Sequence, residues 1–553
     1  MTGPLPSELG HLARLRALDV SDNSITGTIP TMFGNLLQLL LFIAHNNNMT
    51  GQLPSNLGQL KTLVTLSAYN NQFSNTIPTE FGNMSQLAQF AINHNSMTGT
   101  LPSELGLLTS LTYLSVAENQ LRGTIATDVG DLGKLLYFEV SGNELTGSLP
   151  SELGHLTNLT YLAVADNNIS GTIPTELGNL AQLVSFFAYD NSLIGPLPSE
   201  LGLMTCLILL SAHSNNLNST IPTECGKLSQ LSEFAVFTNN ITGPIPSQLG
   251  GLTGLTNFAV ADNSVTGTIP TELGNLAQLV SFFAYDNDLT GSLPSELWQL
   301  KRLTKFSAFS NQLNSTIPTE FGMLSQLTVF LVFTNNIIGT LPSELGSLIN
   351  LTFLSVAENH IDGTIPTELG DLSQLSVLSV FTNNITGSIP SELENLTDLI
   401  TLAVADNSIT GTIPTELGNL AQLLSFFAYD NSLTGPIPSE LGLLTRLSVF
   451  SAFNNQLNSS IPIEYGRLQQ LLVLDIHRND LTGSLPSELG LLINLTNLDL
   501  SVNMINSTIP SEVGLLSDLQ LLNVSSNQLT GTIPTVLGLL ETLCKYFLGL
   551  LFW

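Results

Sequence analysis

The chain has 553 residues, of which 43% are hydrophobic and only 10% are charged, and this composition excludes an intrinsically disordered protein. The 43 acidic residues outnumber the 13 basic ones, which gives a formal charge of -30. Because binding to phosphates requires clustered Lys and Arg, this charge excludes nucleic acid as a partner. Basic partners and cations stay possible.

An asparagine recurs at every twenty-fourth position from Asn23 to Asn527, without an insertion or deletion. A fixed period in this range predicts a solenoid, in which each unit packs only on its neighbours. We therefore expect one solenoid over residues 1–543 and a divergent apolar end at 544–553, which falls short of the ~20 residues that span a bilayer. Met1 already lies within a repeat, so we expect a leader, terminal caps and any membrane anchor to belong to a longer chain.

The first predicted element of each unit is a short strand. In the first copy Leu18 and Val20 alternate with outward-facing neighbours, and the same segment in successive units predicts a long parallel sheet. Asn23 then turns the chain out of the strand. We expect its amide to point inward and to bond backbone groups of its own and adjacent turns, because a buried amide is costly unless it is paired.

The rest of each unit predicts a second extended stretch and a short helical segment. Gly27 permits a close backbone approach, and Pro30 sets a bend. The Ser or Thr after the proline predicts a helix cap. The acidic residue after it, present in 19 of 23 copies from Glu8 to Glu512, fits the first turn of that helix. A stripe that binds cations or basic partners is the alternative for these carboxylates.

The full unit reads Leu-x-x-Leu-x-Val-x-x-Asn-x-Ile-x-Gly-x-Ile-Pro-x-x-Leu-Gly-x-Leu and resembles the leucine-rich repeat family. Its Leu-x-Gly-x-Ile-Pro element resembles the plant-type class, which includes ectodomains of receptor-like kinases and receptor-like proteins and the polygalacturonase-inhibiting proteins. Similarly regular units occur in leucine-rich repeat proteins of algae such as diatoms. The cysteine-bearing caps and the kinase signature of the plant relatives do not occur in this sequence.

This resemblance implies an α/β solenoid, a right-handed superhelix or horseshoe of about 23 units that repeat with a period of 24. It also implies a parallel concave sheet, with short helical or 3-10 segments on the convex side. In this family the ligand usually meets the concave sheet, whose outward positions lie two, four and six residues before each asparagine.

Aromatic side chains are frequent at these outward positions, whereas charged residues occupy only six of them. A large exposed apolar strip indicates a binding surface, and a composition rich in aromatics and poor in charge is typical of interface cores. The alternative is a structural row, in which each ring packs on its cross-strand neighbour and binds nothing. The predicted ligand-binding residues are Phe187, Tyr189, Phe237, Phe283, Tyr285, Phe309, Phe333, Phe381, Phe427, Tyr429 and Phe453.

The sequence offers no catalytic constellation. Its seven histidines occur singly, without metal-ligand spacing, and no nucleophile, base or phosphate-binding loop can be identified. Cys206, Cys225 and Cys544 form no framework, and Cys225 takes an apolar helix position, which predicts a buried thiol. We therefore predict no enzymatic activity, no catalytic residue, no metal and no cofactor.

The favoured function is a non-enzymatic recognition module that binds a protein, a peptide or a glycan on the concave face. It is expected to be the extracellular or cell-surface part of a receptor-like or secreted protein, with membrane contact only through a segment outside this chain. The alternative is a structural or adhesive surface protein, including ice binding through threonine rows such as Thr266 and Thr268. Interruptions such as Pro196 and Asn218 break those rows.

Overall fold

The computed structural model describes residues 1–547, and the predicted divergent end lies outside the described residues from position 548 onward. The described chain forms two compact units that divide between Leu279 and Val280. Both units are built from the same repeat, which consists of a three-residue strand, a turn, a second short extended segment and a 3-10 helix.

In the first unit each strand of the main sheet pairs in parallel with the equivalent strand of the next repeat, so that Tyr113 lies beside Tyr137 and Tyr137 lies beside Tyr161. The main-sheet strands are Ala17–Asp19, Leu41–Ile43, Thr65–Ser67, Gln89–Ala91, Tyr113–Ser115, Tyr137–Glu139, Tyr161–Ala163, Ser185–Phe187, Leu209–Ser211, Glu233–Ala235 and Asn257–Ala259. The second row of strands is Thr2–Gly3, Ser24–Gly27, Asn48–Gly51, Gln72–Asn75, Ser96–Thr100, Gln120–Gly123, Glu144–Leu145, Ser170–Gly171, Ser192–Gly195, Asn216–Leu217, Thr242–Pro244 and Ser264–Gly267. The 3-10 helices are Ser7–His11, Thr31–Asn35, Ser55–Gln59, Thr79–Asn83, Ser103–Leu107, Thr127–Asp131, Ser151–His155, Thr175–Asn179, Ser199–Leu203, Thr223–Lys227, Ser247–Gly251 and Thr271–Asn275.

The second unit follows the same plan, and Phe353 pairs with Val377 as Val377 pairs with Thr401. Its main-sheet strands are Ser281–Phe283, Lys305–Ser307, Val329–Leu331, Phe353–Ser355, Val377–Ser379, Thr401–Ala403, Ser425–Phe427, Val449–Ser451, Val473–Asp475, Asn497–Asp499, Leu521–Asn523 and Lys545–Phe547. The second row is Asp288–Gly291, Gln312–Leu313, Ile338–Thr340, His360–Asp362, Thr410–Gly411, Ser432–Pro436, Gln456–Ser459 and Asp480–Leu481. The 3-10 helices are Ser295–Gln299, Thr319–Met323, Ser343–Ser347, Thr367–Asp371, Ser391–Asn395, Thr415–Asn419, Ser439–Leu443, Ile463–Arg467, Ser487–Leu491, Ser511–Leu515 and Thr535–Leu539.

The core of each unit is a stack of equivalent apolar layers, one for each repeat. Within one repeat Leu114, Val116, Leu121, Val129 and Leu132 are all buried. Cys225 occupies the helix column of this core and is fully buried, as its position in the repeat predicts, and burial raises the pKa of its thiol to about 12. The thiol therefore stays protonated and behaves as a small apolar side chain.

The repeat asparagine holds neighbouring turns together. Asn359 is only 5% exposed, and its Nδ2 donates to the carbonyls of Val356 and Ala357 in its own turn, at 3.0 and 2.9 Å. It also donates to Val332 of the preceding turn at 3.0 Å, while its Oδ1 accepts the backbone N–H of Ile337 at 2.9 Å. The same bonds recur along both units, and the predicted inward amide is confirmed.

The turn requires a left-handed residue immediately before each asparagine. Its φ lies between 49° and 55° in nearly every repeat, and glycine takes the position only at Gly142, where φ is 64°. Asp and Asn tolerate this conformation because their short polar side chains bond locally, whereas it is sterically unfavourable for β-branched residues. Thr238, Thr334 and Thr382 also adopt it, and each of their hydroxyls donates to the carboxylate at the same position of the next repeat, at 2.9–3.4 Å. Val502, at a φ of 53°, has no hydroxyl for such a bond and is therefore strained.

The helices differ from the sequence-based expectation in how they begin. The predicted Ser or Thr cap is wrong, because proline takes the cap position with an extended backbone, as Pro174 does, and no side chain caps the helix. The hydroxyl of Thr175 instead donates to the carboxylate of Glu176 at 3.2 Å. The acidic residue lies in the first turn as predicted.

A Cβ on Gly154 would lie 2.3 Å from the carbonyl oxygen of Glu176 in the next helix, so glycine sets the helix spacing.

Asn359→Ala should destabilise its repeat, because it removes the acceptor of the buried Ile337 N–H and one of the two donors to each of three carbonyls. The orphaned N–H costs about 1–3 kcal/mol. Hydrogen exchange of the Ile337 amide measures the loss directly and avoids a two-state assumption, which long arrays do not satisfy. Asn336→Ala at the exposed neighbouring position is the matched control and should leave exchange unchanged. Equal protection in both variants would contradict the assigned role of the amide.

Val502→Asn should stabilise the second unit by about 1 kcal/mol, because Asn relieves the left-handed strain that valine suffers at this position. Thermal melting and hydrogen exchange both report the change. Ile493→Asn is the control, since Ile493 is similarly exposed, at 53% against 45% for Val502, but is not left-handed. A gain of the same size in the control would show that replacing an exposed apolar side chain by a polar one, and not the relief of backbone strain, is responsible.

Candidate ligand-binding face

In each of the two compact units the outward positions of the main-sheet strands define a surface that we call the sheet face of that unit. Its residues lie two, four and six positions before each repeat asparagine, and the middle residues of the strands between them, such as Leu162, are buried. All eleven predicted ligand-binding residues lie on the sheet face and are half-buried. Phe187, Tyr189 and Phe237 belong to the first unit, and the other eight belong to the second.

Ring stacking accounts for this half-burial in the first unit. Tyr189 stacks on His213 with ring centroids 4.7 Å apart, and His213 stacks on Phe237 at 4.1 Å. Phe187 meets Tyr189 edge to face at 6.3 Å. The column two residues before the asparagine therefore forms a continuous aromatic stack across three repeats.

Two further stacks lie in the second unit. Tyr285, Phe309 and Phe333 stack at 4.6 and 4.3 Å, while Tyr429, Phe453 and His477 stack at 4.6 Å for each pair. Phe283 and Phe427 each meet the neighbouring tyrosine edge to face at 6.4 Å. Phe381 has alanine at the equivalent position of both neighbouring repeats, Ala357 and Ala405.

The stacks give the rings a structural role and leave part of each ring at the surface. Stacked aromatic pairs contribute about 0.5–1.5 kcal/mol beyond their buried area. Because ring faces are used within each stack, a partner would meet ring edges, which carry positive partial charge. Edges of this kind suit carbonyl oxygens and other acceptors of an extended backbone.

A further stack, which the sequence-based prediction missed, runs along the column six residues before the asparagine. Tyr113, Tyr137 and Tyr161 stack at 4.4 and 4.2 Å, and Tyr161 meets Phe187 edge to face at 5.7 Å. Burial, with the charge of Glu139, raises the pKa of Tyr113 and of Tyr161. The three tyrosines occupy equivalent positions of consecutive repeats in the sequence, so aligning this column would have revealed the stack.

The structure also brings Asp475, His477 and Asp499 together, with possible ligand atoms within 4.8 Å of one another. Spacing along the chain did not predict this, because Asp499 lies on the adjacent strand. His477 Nδ1 lies 2.5 Å from Asp475 Oδ1, and Asp499 accepts bonds from Ser501 and Asn523 at 2.7 and 2.9 Å. These hydrogen bonds position the three side chains beside one another.

Open grooves also lie beside the second row of strands, away from the sheet face. One of about 1000 Å³ in the second unit is lined by repeated Ile-Pro and Ser/Thr-Glu segments. The column of one threonine row passes through it as Thr364, Ser388, Thr412, Pro436 and Ser460. This row is discontinuous, as its sequence indicates, so it offers no regular lattice of hydroxyls.

The fold is that of a leucine-rich repeat solenoid, and comparisons with known proteins place it more closely. A family profile described as a leucine-rich repeat region matches residues 2–120, and a single-repeat profile matches 134–156, 158–180, 350–372, 470–492 and 518–540. No curated protein matches the chain.

Among solved structures, the chain is similar to the plant peptide hormone receptor RGFR1 in complex with RGF2. The two are 35% identical over 98% of this chain and 87% of that one, with a TM-score of 0.95. A TDR receptor is 30% identical over 96% and 93%, with a TM-score of 0.92. The Arabidopsis receptor kinase HAESA, in complex with the peptide hormone IDA and the co-receptor SERK1, is 29% identical over 98% and 88%, with a TM-score of 0.83.

The chain belongs to the plant-type leucine-rich repeat family. The predicted family and the predicted solenoid of parallel strands and short 3-10 helices are thereby confirmed. Among residues 1–547 no helix combines the length and the apolar character that crossing a bilayer requires.

His213 and His477 lie in the same column of two aromatic stacks, and their pKa values should be shifted in opposite directions. Burial lowers the pKa of His213, whereas the hydrogen bond to Asp475 raises the pKa of His477. Protonated His477 stabilises the folded chain fully at a pH below its unfolded pKa of about 6.5. This stabilisation is lost as the pH rises through the higher pKa that His477 has in the folded chain. For His213, stability falls as pH drops below about 6.5.

NMR titration of the histidine resonances tests this pair. We expect His213 to titrate below about 6.5 and His477 above it. Asp475→Asn should remove most of the upward shift of His477 and leave His213 unchanged. A His477 that titrates normally in the unaltered chain would contradict the Asp475 contact.

Proposed function

We propose that the chain is a non-catalytic recognition module, extracellular or at the cell surface, that binds a peptide on the sheet face. The carrying observation is the set of aromatic stacks, whose rings all stay half-buried on one face of the main sheet. A purely structural row could be built from any apolar residue, whereas stacked rings present a line of polarised edges to an extended ligand.

The comparisons support a peptide before other ligands. RGFR1 is described in complex with RGF2, and HAESA is described with the peptide hormone IDA. Both similarities cover nearly the whole of this chain. An extended peptide also fits the geometry, because three of its residues advance by about 9.9 Å, which is close to the ~9.6 Å spanned by two strand spacings. A protein surface loop would use the same edges, while a glycan would need exposed ring faces.

The stack of Tyr285, Phe309 and Phe333 in the second unit is the place to test the proposal. A variant that combines Phe283→Ser, Tyr285→Ser, Phe309→Ser and Phe333→Ser should lose at least about tenfold in affinity for peptides selected on the unaltered chain, equivalent to about 1.4 kcal/mol. Peptides are selected from a displayed random library, and binding is measured by calorimetry. Circular dichroism and hydrogen exchange establish that the repeats stay folded.

The matched control carries Leu203→Ser, Leu443→Ser, Leu491→Ser and Leu515→Ser. These leucines are 52–61% exposed and lie on the 3-10 helices. A second variant with leucine at the four ring positions keeps apolar bulk but removes the ring edges, and it should also bind weakly. Undiminished binding by both ring variants would refute the sheet face as the binding surface.

A further inference from the structure

A small cavity opens on the sheet face of the first unit. It has a volume of about 180 Å³, and aromatic rings and carboxylates line it together. Tyr161, Phe187 and Tyr189 form its apolar wall, while Glu118, Glu139 and Asp166 form its acidic side. The tyrosine stack ends at this point, and the Tyr189 stack begins.

Small residues create the cavity. Two residues before the asparagine, successive repeats carry Ala117 and Ser141, where other repeats carry a ring such as Tyr189. Ala163 lies between Glu139 and Phe187 in the cross-strand row, so no side chain fills the space between the carboxylate and the ring. The cavity is therefore a gap between the end of the tyrosine stack and the beginning of the Tyr189 stack.

Gly142 makes room for one of the carboxylates. It is the left-handed residue before Asn143, and a Cβ placed on it would lie 2.4 Å from Oε1 of Glu118. A Cβ at this position would require the Glu118 carboxylate to move. Glu139 is held by a hydrogen bond of 2.7 Å from the Ser115 hydroxyl, which fixes the position of one of the three carboxylates.

The negative charge of the cavity is not compensated within the described residues. Among residues 1–547 no lysine, arginine or histidine forms an ion pair with Glu118, Glu139 or Asp166, and this includes His94, which also lines the cavity. Burial, followed by the charges of Asp190 and Glu118, raises the pKa of Asp166. Carboxylates that repel one another beside aromatic rings form an environment that an added cation relieves.

Internal duplication shows that the repeat does not impose this arrangement. Residues 163–191 recur almost unchanged at 259–287 and 403–431, including Asp166, Phe187 and Tyr189. The equivalents of Glu139 are Ala235 and Ser379. The equivalents of Tyr161 are Asn257 and Thr401. Only the first copy thus combines the shared rings with the additional glutamate and tyrosine.

We infer that this cavity is a recognition pocket for an arginine side chain of the peptide ligand. The inference rests on the proposed function and names the chemistry of one ligand residue. A guanidinium is planar and carries five N–H donors, which suit carboxylates that approach from several repeats, and the apolar stem of arginine packs against the ring wall. A metal ion would gain nothing from the ring wall, since hard cations require oxygen ligands on most sides.

The pocket can be tested without a peptide. The probe is N-acetylarginine amide, whose guanidinium is its only charge, and N-acetylcitrulline amide is its neutral analogue. The arginine probe should shift the ring resonances of Tyr161, Phe187 and Tyr189 with a dissociation constant on the order of 1 mM. Citrulline should bind at least about tenfold more weakly, and added salt should weaken only the arginine probe.

The test variant carries Glu118→Gln, Glu139→Gln and Asp166→Asn, which keep the side-chain shapes and remove the charges. It should bind the two probes equally and weakly. The control variant carries Glu358→Gln and Asp406→Asn at the equivalent positions of the third copy and should behave like the unaltered chain. Equal binding of arginine and citrulline by the unaltered chain, or equal binding of a lysine probe, would overturn the assignment.

Peptides selected on the unaltered chain separate this inference from the proposed function. Selected peptides should share an arginine, and its replacement by citrulline should cost at least about tenfold in the unaltered chain and nothing in the test variant. Peptides without a required arginine would overturn the pocket and leave the sheet face as a binding surface. If no peptide is selected but the arginine probe discriminates, the pocket stands and the peptide proposal fails.

Discussion

The amide of the repeat asparagine is the interaction on which the rest of the molecule depends. Asn359 binds two carbonyls of its own turn, a carbonyl of the preceding turn and the N–H of Ile337. It therefore joins adjacent repeats without a contribution from the variable positions. Because water does not reach these groups, each bond is costly to leave unmade. Main-sheet pairing, core layers and helix spacing then follow at fixed intervals, and the outward positions are left free to vary.

Structural features that depend on a single position of the repeat could be predicted from the sequence. The inward amide, the short strands and the buried Cys225 thiol follow from single columns and are confirmed. The Ser or Thr cap was wrong because proline already holds the extended cap position and the hydroxyl bonds the neighbouring glutamate. Relations between columns were harder to predict. The cavity beside Glu139 depends on the directions of rings and on small residues one repeat away, which no single column displays.

Backbone geometry and surface charge are linked in this fold. The left-handed position before each asparagine favours Asp, Asn and Gly, and among residues 1–547 Asp or Glu occupies it in nine repeats. These carboxylates lie beside the sheet face, next to columns that hold few charges and many rings. A requirement of the turn therefore places negative charge along the border of an aromatic surface. In the first unit Asp166 and Glu118 belong to this border, and the half-buried Glu139 extends it inward.

The uniform spacing of contacts also affects how such a chain folds. Each main-sheet strand pairs with its equivalent in the next repeat, and the asparagine bonds that join two turns span 22 and 27 residues. Each added repeat therefore closes a loop of the same length, and the entropy lost on closing that loop does not grow with the number of repeats. Relative contact order falls as the chain lengthens, which is the regime of fast, local assembly. Once a few turns have formed, the next repeat folds by packing on the repeat before it. Duplication can therefore lengthen the array without slowing the folding of each added repeat.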